Sequence, residues 1–199
     1  MKENFLKALE SRRSIYSIGR NSAVTEDEIL SIVRRAVSAS PSAFNSQSSR
    51  VIVLFGKNHD RLWDDLKGIL KGMVQADRFA KTEEKIDSFR SGYGTVLYFE
   101  DQDVVTGLQN QFPPYKDNFP LWSLQSSGML QLAVWAALEE AGLGASLQHY
   151  NPLIDEKVRE NWGAPKSWKL LAQMPFGSVE GKPESKDTGN VDERVKAFR

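Results

Sequence analysis

The sequence predicts a single α+β domain, a mixed α/β sandwich over residues 1–199. Short apolar runs that read as strands, at 50–55 and 94–100, alternate with amphipathic helical stretches. No internal repeat, low-complexity tract or linker divides the chain. Its 199 residues are enough to bury a core of their own.

In order, residues 3–13 read as a short helix with Phe5, Leu6 and Leu9 along one side, ending in Arg12-Arg13-Ser14. Residues 25–39 form the clearest helix. Thr25 and Glu28 make a T-x-x-E capping box. Ile29, Ile32, Val33, Ala36 and Val37 then recur at helical spacing as a core-facing stripe. The helix is expected to stop at Ser40, because the residue before a proline disfavours the α region. The run 50–55 reads as a buried strand closed by Gly56.

Leu62, Leu66, Ile69, Leu70 and Met73 mark the next helix, and 76–90 continues as a charged surface helix. A strand at 94–100 and a short helix to Gln111 follow. Phe112-Pro113-Pro114-Tyr115 breaks that helix, since neither proline can donate a backbone bond. Residues 123–141 read as a long helix burying Met129, Leu132, Ala133, Ala136 and Ala137, either in the core or at a subunit interface. Gly142 is placed to end it. A strand at 144–148, a helix from Leu153 to Trp162 closed by Gly163, and a strand at 168–177 complete the regular elements. Residues 178–190 read as an extended surface arm, and 191–195 as a short returning element.

Composition narrows the chemistry. Formal net charge is zero, so nothing suggests a nucleic-acid footprint, and no apolar run approaches the length of a membrane span. The first residues carry acids and lack the apolar run of a signal peptide, so the expected compartment is the cytoplasm. The chain has no cysteine, which removes disulfides, thiol chemistry and Fe–S clusters together. It has two histidines, His59 and His149, far apart, so a His-rich metal site is not expected. Redox chemistry here would need an organic cofactor.

The stretch Ser40-Pro41-Ser42-Ala43-Phe44-Asn45-Ser46-Gln47 lies between a helix and a strand, where binding groups concentrate. It offers hydroxyls and two side-chain amides, each both donor and acceptor. That suits a planar heterocycle with alternating donors and acceptors, although a capped turn uses the same residues. Arg12, Arg13 and Ser14 suit a phosphate. The aromatic segment Phe112, Tyr115, Phe119 and Trp122 suits loop packing, a pocket wall or a subunit contact. Dinucleotide-fold glycines, a Walker A run, H-E-x-x-H and G-x-S-x-G are all absent. A hydrolase would have to pair His149 with Ser146 or Ser42, and nothing in the spacing favours that.

These segments stand in one order: Arg12-Arg13-Ser14, the 40–47 loop, Asn118-Phe119-Pro120 with Trp122, Gly142-Leu143-Gly144-Ala145, Leu147-Gln148-His149-Tyr150-Asn151-Pro152, and Arg194. Together they resemble the FMN-dependent nitroreductase family. The likeness is to its short subgroup of fungal fatty-acid-repression-mutant-type enzymes and related bacterial oxidoreductases, over essentially the whole chain.

The resemblance implies a mainly antiparallel central sheet flanked by helices, in an intertwined homodimer. It implies FMN as cofactor, with NADH or NADPH as donor. Turnover would be ping-pong, hydride passing to FMN and then to a nitroaromatic or quinone acceptor, and some members are tied to oxidative stress. It places Arg12, Arg13 and Ser14 at the FMN phosphate and ribityl end, with Arg194 as a second cation. Ser40, Pro41, Ser42, Ala43, Asn45 and Gln47 would line the ring from the partner subunit. Gln148, His149 and Tyr150 would lie near N5, largely through backbone groups. Phe44, Tyr115, Phe119 and Trp122 would wall the substrate pocket.

No side-chain acid or base and no metal ligand is assigned. Tyr16 stands where many larger members carry a lysine near the flavin pyrimidine. The reading from another class is a flavin-binding regulatory protein, in stress or lipid signalling, with little turnover.

Overall fold

The computed structural model describes residues 4–183 and 185–199. Its elements are α1 (Asn4–Ser11), β1 (Ile18–Gly19), α2 (Glu26–Ala39), β2 (Ser49–Phe55), α3 (Gly56–Lys71), α4 (Ala76–Arg90) and β3 (Gly94–Asp101). There follow α5 (Gln102–Gln111), α6 (Phe119–Glu140), β4 (Gly144–Ala145), α7 (Asp155–Trp162) and β5 (Trp168–Val179). The strands form one antiparallel sheet in the order β1-β5-β3-β2, with β4 also on β5. Two layers of helix cover it, as the mixed sandwich requires.

Alternation along the central strands splits the core in two. Leu97, Phe99 and Leu170 face one side and pack against Leu62, Trp63 and Leu66 of α3, Ile86 and Phe89 of α4, and Val158 of α7. Val96, Tyr98, Ala172 and Met174 face the other and pack against Ile29 and Val33 of α2 and Leu130, Val134 and Leu138 of α6. On the first side His59 is fully buried between Thr95 Oγ1 at 2.8 Å and the Arg90 carbonyl at 3.1 Å. Because that carbonyl can only accept, Nε2 carries the proton and Nδ1 accepts from Thr95.

Several boundaries differ from the sequence reading. The helix expected at 123–141 begins at Phe119, with Pro120 in its first turn, where a missing N–H is harmless. Its buried stripe is Leu130, Val134, Ala136 and Leu138, whereas Met129 and Leu132 are exposed. Apolar residues surround this helix, so periodicity alone could not choose the core face. The strand expected at 144–148 is regular only at 144–145, with one further bridge from Gln148 to Gln173. Strand β1, which the sequence reading missed, is two residues long, and its Gly19 meets Gly177 of β5 so closely that a Cβ on Gly177 would run into the Gly19 carbonyl. The 76–90 helix buries Ile86 and Phe89, and Val37 of α2 is exposed. Val191–Val195 forms a turn, closed by the Arg194 and Val195 amides on the Val191 carbonyl.

Candidate active site

Three groups of residues build the candidate site. The first is a cationic cleft. The α1 helix ends at Ser11, and the chain after it runs extended beside β4, with Ile15 N donating to Ala145 O at 2.9 Å. Residues 12–17 are thereby held opposite the chain that leaves β5. Arg12, Arg13, Ser14, Ile15, Tyr16 and Ser17 line a cavity of about 620 Å³ with Gly181, Lys182, Pro183, Ser185, Lys186 and Asp187. Lys182 and Lys186 are cations the sequence reading passed over; their signal was the lysine spacing within an arm taken as mere surface.

Arg12 lies across the ring of Trp135, with its guanidinium carbon 4.1 Å from the centroid. Burial lowers its pKa from the ordinary arginine value, Glu139 opposes that, and Arg13 adds to it. Trp135 Nε1 is buried with no hydrogen-bond partner among the described residues. Arg194 stands on the C-terminal arm, donating to the Thr188 carbonyl at 2.7 Å, and is not among the residues lining the cleft.

The second group is the 40–47 loop. Ser40 caps the end of α2 by donating Oγ to the Ala36 carbonyl at 2.8 Å. Phe44, Asn45 and Gln47 all have positive φ, near 56°, 49° and 50°. Non-glycine residues avoid that region, and clustered exceptions mark sites where the surroundings impose the backbone. Here Ser42 Oγ accepts from Gln47 N at 3.0 Å, and Gln47 Nε2 donates to Asn45 Oδ1 at 3.2 Å. The pairing leaves the Asn45 amide hydrogens and the Gln47 carbonyl as a donor and an acceptor side by side. Ser40, Pro41, Ser42, Asn45 and Gln47 line one chamber of about 200 Å³ with Ser49 of β2 and Ser126 of α6.

The third group is aromatic. Phe44 stacks on Trp122 with centroids 6.0 Å apart and also meets Phe112, Tyr115 and Phe119. Phe44 is thus gathered with the aromatic segment Phe112, Tyr115, Phe119 and Trp122. Phe119 is buried beneath it, while Phe44 and Tyr115 are exposed. An adjoining groove of about 320 Å³ runs past Ala43, Phe44, Trp122, Gln125, Ser126 and Met129.

Gln148, His149 and Tyr150 leave the sheet beside β5. Gln148 is fixed by paired backbone bonds with Gln173 at 2.7 and 2.9 Å and donates Nε2 to Ser146 Oγ at 3.0 Å. Ser146, one of the two serines a hydrolase could have used, is fully buried. His149 is exposed. The Tyr150 ring packs against Trp63 and Phe89, and its N–H donates to Gln173 Oε1 at 2.7 Å. The Asn151–Pro152 peptide is cis.

The Nitroreductase family model matches residues 9–178, a span that contains all three groups except the basic arm after β5. The chain belongs to the nitroreductase family.

As a nitroreductase-family protein it has an oxidoreductase role. It is 32% identical to the nitroreductase FRM2 of Saccharomyces cerevisiae over 185 residues, 92% of each chain. Among solved structures it is similar to the nitroreductase CinD of Lactococcus lactis in complex with chloramphenicol, at 46% identity and TM-score 0.90, over 98% of this chain and 100% of that one. CinD has also been solved with 4-nitrophenol, at TM-score 0.89 to this chain. A nitroreductase structure from Saccharomyces cerevisiae matches at 31% identity and TM-score 0.80, over 89% of this chain and 97% of that chain. No helix among the described residues is long and apolar enough to cross a membrane.

Proposed function

We propose that this protein is an FMN-dependent NAD(P)H oxidoreductase acting on nitroaromatic or quinone acceptors as a homodimer in the cytoplasm. The observation that carries the reading is the division of the site into two chemically opposite halves. Arg12, Arg13, Lys182 and Lys186 line one cavity, and the Asn45–Gln47 amides line another. FMN has two such ends, a phosphate for the first and a ring edge of alternating donors and acceptors for the second. The residues present therefore fit it. The halves line separate cavities of one chain, which supports a site completed by a second copy.

FMN, when bound, supplies the two-electron chemistry that connects nicotinamide and acceptor. The protein's own work is positional. Arg12 is braced by Trp135 and aimed along the cleft, and the strained 40–47 backbone holds two amides in register. The aromatic groove offers a flat apolar wall, suited to ring-shaped compounds such as those in complex with CinD.

The test is the visible absorbance of the purified protein, followed anaerobically as NADH and then NADPH are added. A flavin spectrum that bleaches and recovers with a quinone or nitroaromatic is expected. A protein that is colourless and takes up no FMN overturns the reading. A flavin that neither donor bleaches leaves a binding protein in its place.

A further inference from the structure

The aromatic groove holds a polar side chain that the functional reading leaves without a task, Gln125 of α6. Trp122, Gln125, Ser126 and Met129 recur at i, i+3, i+4 and i+7, so they form one strip along the helix, and that strip is the floor of the groove. Ala43 and Phe44 complete the lining. Phe44 stacks on Trp122 with their planes 19° apart, so one end of the strip carries two nearly parallel rings. Gln125 lies one turn beyond Trp122 and one turn before Met129, in the middle of the floor. The groove adjoins the amide-lined chamber. Ser126 borders both, and Ala43 and Phe44 follow Ser42 and precede Asn45, which line the chamber. A flat cofactor edge held by Asn45 and Gln47 therefore has this groove as its neighbour within the same chain.

The chemistry of the lining is narrow. None of its six residues is an acid or a base. Ser126 is buried and donates its hydroxyl proton to the Trp122 carbonyl at 2.9 Å. Gln125 is exposed and makes no hydrogen bond among the described residues. Apart from the Trp122 indole N–H, its amide is the one free donor on the groove's side chains, and the same group carries a free acceptor.

We propose that Gln125 determines which acceptors the groove takes, selecting flat, uncharged rings that carry a hydrogen-bonding substituent such as a carboxamide or a hydroxyl. The inference rests on the oxidoreductase reading above and names the substrate class of that site. The rings of Phe44 and Trp122 give contact to any flat molecule, whatever its substituents. Discrimination comes from a group that bonds some acceptors and not others, and Gln125 is placed to be that group. A carboxamide can both accept from the Gln125 amide and donate to it. A methyl group displaces the water on that amide and offers it nothing. A carboxylate meets neutral donors and no cation, against apolar walls that cannot replace its own water.

The test measures kcat/KM of the flavin-loaded protein for 4-nitrobenzamide, 4-nitrotoluene and 4-nitrobenzoate. Variants are compared with the wild type on ratios between acceptors, so differences in intrinsic reducibility cancel. Gln125→Leu should lower the preference for nitrobenzamide over nitrotoluene by about two- to tenfold, the effect of one neutral hydrogen bond. Gln125→Lys should raise the preference for nitrobenzoate over nitrotoluene by about two- to fivefold, the effect of an exposed ion pair. Benzamide has no nitro group to reduce and reads binding alone. Its Kd, from a magnetic resonance titration of the oxidised protein, should rise by about two- to tenfold in Gln125→Leu.

Unchanged ratios in either variant, or a benzamide Kd that does not move, would overturn the role of Gln125 and leave the oxidoreductase reading standing. A wild type that reduces none of the three acceptors would overturn that reading, and the selection with it.

Discussion

The guanidinium of Arg12 lies over the indole of Trp135, 4.1 Å from its centroid. Arg12 follows α1 and Trp135 lies on α6, so the stack joins the start of the chain to the longest helix and fixes a cation at the mouth of the basic cleft. A fixed, partly desolvated guanidinium binds phosphate with less ordering cost than a mobile surface arginine.

Arg12→Ala should therefore weaken FMN binding. A charge-assisted hydrogen bond contributes roughly 1.5–3 kcal/mol, so Kd should rise by about one to two orders of magnitude. Trp135→Ala keeps the charge and loses the brace, worth roughly 0.5–1 kcal/mol, and should raise Kd by only about two- to fivefold. Fluorescence titration of the flavin-free variants with FMN measures both. Equal affinities across the set would remove Arg12 from the cofactor site.

The two faces of α6 should behave differently on mutation. Leu130 is 1% exposed against the sheet, so Leu130→Ala should cost roughly 2–5 kcal/mol of stability. Leu132 is 43% exposed and lines an apolar groove of about 450 Å³ with Phe5, Ala8, Leu9 and Met129. If the protein is the proposed homodimer with this groove at its interface, Leu132→Glu should leave each subunit folded, yield a monomer where the wild type is a dimer, and lower FMN uptake. Sedimentation with circular dichroism separates these outcomes. A dimer that persists in Leu132→Glu would move the interface elsewhere.

His59 should make stability fall with acid. Burial, its largest influence, lowers the His59 pKa from 6.5 to about 4, despite the Arg90 carbonyl that favours the charged form. Below pH 6.5 the unfolded chain takes up a proton that the folded chain refuses, so stability is complete above that value. It is lost progressively as the pH falls toward 4. The pKa difference corresponds to roughly 3 kcal/mol. Urea unfolding across this range should show that slope in the wild type and a shallower one in His59→Gln.

Much of the fold was legible because local chemistry and tertiary packing agree. The Thr25–Glu28 capping box is present as read, with Thr25 N donating to Glu28 Oε2 at 2.8 Å and Glu28 N to Thr25 Oγ1 at 3.3 Å. The runs that became β2 and β3 were recognisable for the same reason. The α6 register was not, since Leu, Met and Ala occur all round that helix and a core face and an exposed apolar face have the same composition. The aromatic quartet could be named from sequence because Phe112–Trp122 is one short stretch. Phe44 was joined to it only through the family resemblance, and its approach depends on positive φ at Phe44, Asn45 and Gln47, which no propensity signals. Lys182 and Lys186 were missed because they look like ordinary surface charge.

The pairing of Ile18 with Val179, and of Gly19 with Ser178, sets an order of events during biosynthesis. Arg12 and Arg13 leave the ribosome about 170 residues before Lys182 and Lys186. The central strand β5 must also emerge before β1 has anything to pair with. Chains fold broadly from the N-terminus as they are made, so the helices and the β2–β3 hairpin can form early while the basic cleft waits for the residues that follow β5. Capture of the proposed cofactor would then follow synthesis of residue 186, and a nascent chain stalled short of residue 182 would carry half of the cation set with nothing opposite it.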